Sequence, residues 1–194
     1  MCYAYADIKG KSPFLLTCIL AIGARFYLAY QRANPSLPVV DAETATAIKD
    51  LAYSHLGASM FRKQPGVMDV QAVLLLANWN LFGQGMSPDN WLVSGHCGRM
   101  GYRIGLDRVA HSAPERPVLC RWRTWLGWNM CVAPPTYTNG RHDGFMSLGF
   151  GRPQVNVTPR LDELEFLRLA DGPGDVMLSA LAQLSVVRAA TQSN

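Results

Sequence analysis

The chain has 194 residues, the size of one domain or of a piece of a larger one. Hydrophobic residues make up 49%, which excludes disorder over most of the length. Charged residues are only 16%, below the roughly 25% of soluble domains, so much of the surface is suited to meeting another protein segment. The net charge of +4 is spread without a run, too diffuse for nucleic-acid binding to follow from charge alone.

The first element expected is a helix from Pro13 to about Tyr30. Ser12-Pro13 gives a cap followed by a first-turn proline, and Asn34-Pro35 stops the pattern. Its opening, Pro13 to Ala24, is a twelve-residue apolar run with Thr17 as the polar exception. A signal-peptide core is the competing reading, and Asp7 in the would-be basic region counts against it. A membrane span needs about 20 apolar residues, and Arg25 interrupts this run. The run therefore reads as a buried helix.

A second helix is expected from Asp41 to Ala58, with Thr44, Ala47, Ile48, Leu51 and His55 as its inward stripe. After the Gln64-Pro65-Gly66 turn, Asp69 reads as the N-cap of a helix from Val70 to Leu81. That helix is apolar all round, so other helices should enclose it. Ser87-Pro88-Asp89 then opens a helix running to about Gly105. It contains Gly95, Gly98, Gly101 and Gly105, each costing about 1 kcal/mol against alanine. Gly95, Gly98 and Gly105 fall near one face, which suits close approach of a neighbouring backbone.

From Glu115 a helix carries Arg121, Trp122, Arg123, Trp125 and Trp128 until Pro134-Pro135 ends it. Its tryptophans read as core and its arginines as outward-reaching or paired with carboxylates. Later elements are a short helix from Leu161 to Leu169 and a last one capped by Asp175, with Met177, Leu181, Leu184 and Val187 aligned. No strand alternation persists, and the class expected is all-α, an array of about six or seven helices forming a partial domain.

Chemistry-bearing patterns are scarce. The cysteines are Cys2, Cys18, Cys97, Cys120 and Cys131, an odd count with no C-x-x-C pair, so they read as buried free thiols. His55, His96, His111 and His142 lack metal-ligand spacing. Ser94 and His96 sit two apart on a helix and so point to different sides. Gly83-Gln84-Gly85 and Gly149-Phe150-Gly151 lack the strand and helix of a phosphate cradle. The expectation is a chain without catalytic residues, metal ligands or a bound cofactor.

Five ordered blocks carry a family resemblance. They are Ser12 to Phe26, Met68 to Ala77, Asn90 to Arg108, Arg121 to Gly127, and Ser147 to Pro153. Together they resemble the fungal-specific transcription factor domain, the middle homology region found downstream of a six-cysteine binuclear zinc cluster. On this chain the matched motif positions are Gln71, Trp91, Gly95, Arg99, Gly105, Arg108, Trp125, Gly151, Arg152 and Pro153. The resemblance implies architectural roles for them, with Arg152 capping carbonyls or pairing a carboxylate beside a glycine turn.

It also implies a regulatory helical domain of a nuclear transcription factor. The partners implied are the factor's other domains, the transcription machinery and a small-molecule effector. Zinc and DNA contact belong to the cluster, whose C-x2-C-x6-C pattern is missing from this chain. No membrane is implied. The chain departs from the family at Leu126, at Asp107 and at Asn129 to Arg141. This last stretch, with Pro134-Pro135, reads as an insertion near 130–142 or as a retained intron. The alternative function is a standalone helical protein binding a small molecule or lipid in an apolar pocket.

Overall fold

A computed structural model describes residues 5–79 and 90–111, and positions 118, 120, 121, 123–125 and 127, whose backbone is helical. The fold is all-α. Among the described residues the elements are α1 (Tyr5–Lys11), α2 (Pro13–Ala33), α3 (Ala42–Met60), α4 (Val67–Asn78), α5 (Asn90–Arg103) and a 3₁₀ turn (Leu106–His111), with no strand. The helices expected after residue 128, the stretch near 130–142 and Gly151, Arg152 and Pro153 lie outside the described residues. The chain divides into two units, one ending at Asn90 and the other beginning at Trp91.

The first unit is organised on α2. Ser12 caps it as expected, its hydroxyl accepting the Leu15 N–H at 3.2 Å, with Pro13 in the first turn. At the other end Asn34 donates to the Tyr30 carbonyl at 3.0 Å. Backbone before a proline is forced out of the helical region, so Asn34-Pro35 stops the helix. The Tyr27 hydroxyl then donates to the Pro38 carbonyl at 2.8 Å and holds the departing chain against the helix.

α2 packs on α1, α3 and α4. Phe14, Leu15, Thr17, Cys18 and Ala21 form its buried stripe. The expectation of a buried helix is therefore met on one face and in the first half only. Arg25 and Arg32 continue the line of Phe14, Cys18 and Ala21 at helical spacing, but both are exposed. The opposite line is uncharged: Leu16, Ile19, Gly23, Phe26 and Tyr30 recur at alternating spacings of three and four. Ile19, Phe26 and Tyr30 on that line are exposed, as is the adjacent Leu20. With 21 residues, α2 is long and apolar enough to cross a membrane by length and composition. The twelve-residue run considered alone was not. Phe26 meets Trp79 edge to face, with ring centroids 5.1 Å apart.

The sequence gives no expectation of α1, because its apolar residues, Tyr5, Ala6 and Ile8, are too few to show a period. Its Asp7–Lys11 pair, 3.2 Å apart and exposed, is worth only a few tenths of a kcal/mol. Proximity to α2 holds it, with the Ser12 N–H bonding the Ile8 carbonyl at 2.9 Å.

α3 begins as expected at its Asp41 cap. Thr44 gives that carboxylate its backbone N–H at 2.6 Å and its hydroxyl at 2.8 Å, which holds Asp41 below the usual carboxylate range. The inward stripe differs from expectation. Ala52, Leu56 and Ser59 are buried and the expected Ile48 and His55 are half-buried, whereas Thr44, Ala47 and Leu51 are exposed. The buried side is thus turned by about one residue from the expected stripe, with Leu51 left outside.

α4 starts three residues earlier than expected, with Gly66 at the cap position and Asp69 in the first turn. The Asp69 side chain reaches backward: one carboxylate oxygen accepts the Gly66 N–H at 2.8 Å and the other accepts Arg62. Asp69 is buried and Arg62 half exposed. Val70, Ala72, Val73, Leu76 and Ala77 are buried along one side, whereas Val67, Met68, Leu74 and Leu75 on the other side are half-buried, so the enclosure expected of an all-apolar helix is complete on one face only. The helix ends at Asn78, whose side chain donates to the Leu74 carbonyl at 2.8 Å.

Asp69→Ala should lower stability by about 2 kcal/mol, since it orphans the Gly66 N–H and removes the carboxylate that Arg62 pairs with. Asp69→Asn should cost less, because an amide oxygen still accepts. Urea midpoints of the two variants check this; equal losses would mean that the backward hydrogen bond contributes nothing.

Candidate functional site

Of the motif positions, Trp91, Gly95, Arg99, Gly105 and Arg108 lie along α5 and the turn after it, and Trp125 lies in the same unit. Val93, Ser94, Cys97 and Met100 are buried on α5, and Gly101 joins them. A Cβ placed on Gly101 would lie 3.3 Å and 3.5 Å from two ring carbons of Trp125, and 3.7 Å from a methyl of Leu106. The tryptophan therefore occupies the space a larger residue at 101 would need. Trp125 is buried, and its ring meets Tyr102 edge to face at 5.1 Å and 75°. Leu106 is fully buried.

Gly105 ends the helix and is not part of it. Its φ of +69° lies in the left-handed region, where a glycine avoids the Cβ clash. Its N–H bonds the Tyr102 carbonyl at 3.0 Å. Of the glycines expected to admit a neighbouring backbone, Gly95 and Gly98 are buried on α5, whereas Gly105 serves as a helix stop, and an aromatic ring is seated on Gly101.

Arg121 completes this helix end. Its guanidinium donates to the Ile104 carbonyl at 2.7 Å, satisfying an acceptor that the end of a helix leaves open. The sequence reading had the arginines of this stretch reaching outward or pairing with carboxylates. Arg121 turns inward to a carbonyl instead. Its Nε is buried with no hydrogen-bond partner among the described residues, and the same holds for one oxygen of Asp107. The other oxygen of Asp107 lies 3.9 Å from Arg108. Burial, and after it the Asp107 charge, pushes the Tyr102 hydroxyl up from its usual range.

The remaining motif residues are distributed as follows. Arg99 is exposed and folds one guanidinium nitrogen to within 3.1 Å of where a Cβ on Gly95 would stand. Arg108 is exposed on the 3₁₀ turn, 3.9 Å from the corresponding point on Gly105. Trp91 lies in the first turn of α5, and its side chain is outside the described residues. Gln71 is half-buried on α4, in the other unit. The structure thus brings Gly105, Arg108 and Trp125 to one helix end, with Gly95 and Arg99 further back along α5.

Gly101, Tyr102, Leu106 and Arg121 are the members of this cluster that sequence reasoning did not place in it. Gly101 is visible in the sequence as one of three glycines inside α5. Its pairing with Trp125, 24 positions on, carries no local signal.

Cys18, Cys97 and Cys120 are buried free thiols, as expected. Burial pushes the Cys18 thiol up to about 12, so it holds almost no nucleophilic thiolate near neutral pH. Among the described residues no three His, Cys, Asp or Glu side chains group to hold a metal ion.

Burial, and secondly the nearby Arg99, lowers the affinity of His96 for a proton. The unfolded chain then takes up that proton more readily than the folded one. The contribution of His96 to stability is complete above the ordinary value of 6.5 and declines as pH falls below it. Melting curves at pH 7.5 and pH 5 should show a larger fall for the wild type than for His96→Gln. Parallel falls would remove His96 from the account.

No family model, curated protein or solved structure matches this chain.

Proposed function

We propose that the chain is a regulatory helical segment of a fungal zinc-cluster transcription factor, one that controls DNA-templated transcription in the nucleus without itself reading DNA. What supports the reading is a coincidence of sequence blocks with structural roles. The first block opens with the Ser12 cap and runs along α2. The second falls within α4 and the third spans α5 and the turn after it. The fourth supplies Arg121 and Trp125, the two side chains that close the end of α5. Within each unit, residues of these blocks serve as a helix cap, a helix stop or packing partners, and we take this as support for an architectural reading of them. The partners of such a segment are the other domains of the factor and the transcription machinery.

Fusing the chain to an unrelated DNA-binding domain upstream of a reporter, in a fungal cell, tests this. The fusion should shift reporter output several-fold from that of the DNA-binding domain alone, and Trp125→Ala should abolish the shift at equal fusion abundance. Unchanged output from an abundant, nuclear wild-type fusion would overturn the proposal.

The exposed uncharged line of α2, with Phe26 against Trp79, favours a second reading, a standalone protein that binds a lipid or small apolar molecule. A silent reporter together with lipid retained by the purified chain under native mass spectrometry would favour it.

A further inference from the structure

We draw no further inference here: the strongest candidate, the uncharged line of Leu16, Ile19, Gly23, Phe26 and Tyr30 on the outer side of α2, is an apolar helix face, and nothing in the structure shows what covers it.

Discussion

Trp125→Ala should destabilise the second unit by about 3–5 kcal/mol, the range for removing a large buried aromatic side chain. The ring is buried, touches Tyr102 edge to face and fills the space over Gly101. Glycine has no side chain with which to collapse into the gap, so the cavity term should be near the high end. A double-mutant cycle separates this from general loss of packing. With Trp125 present, Gly101→Ala must push a methyl to within 3.3 Å of the ring, and the strain should offset the better helix propensity of alanine. With Trp125 replaced by alanine, the same change meets an ordinary contact with Leu106 at 3.7 Å and should stabilise by up to about 1 kcal/mol. Urea denaturation followed by far-ultraviolet circular dichroism gives all four corners. If Gly101→Ala has the same effect in both backgrounds, the ring does not rest on that glycine.

The second large loss is expected at Phe14, which is 1% exposed where α2 meets its neighbours and lies 5.8 Å, centroid to centroid, from His55 of α3. Phe14→Ala should cost about 3–5 kcal/mol in the first unit. Phe26→Ala, made on the outer line of the same helix, is the comparison. Phe26 is 51% exposed, and what it would lose is chiefly its edge-to-face contact with Trp79, worth about 1 kcal/mol. A large gap between the two midpoints confirms a helix that is packed on one side and open on the other. Equal losses would mean that the outer face is covered as tightly as the inner one.

These two sites also mark where the sequence was legible. The α2 boundaries follow from local chemistry: a serine and proline at one end and an asparagine and proline at the other act within a few residues of where they stand. Class was equally open to reading, because helical spacing recurs without strand alternation. Asp69 was misplaced for a physical reason. An acid near a helix start can cap forward or reach backward, and the choice went to the Gly66 N–H and to Arg62, seven positions upstream. The stripe of α3 was misphased because the helix has small or apolar residues on several sides, and which of them face inward is settled by fit against α2. At the helix end after Arg103, Gly105 reads in the sequence as one more glycine of the helix, and its left-handed backbone makes it the stop. That Arg121 and Trp125 would complete this end could not be read either, since both reach it across the chain.

The hydrogen bond from Arg121 to Ile104 spans 17 positions of sequence, and this imposes an order on biosynthesis. As the nascent polypeptide leaves the ribosome, the carbonyl just past α5 faces water until the codon for Arg121 has been read and its side chain has cleared the exit tunnel. Fraying at that terminus is therefore a property of the growing chain that the finished protein no longer has. A release at any codon between the two leaves a product whose last helix lacks its clasp.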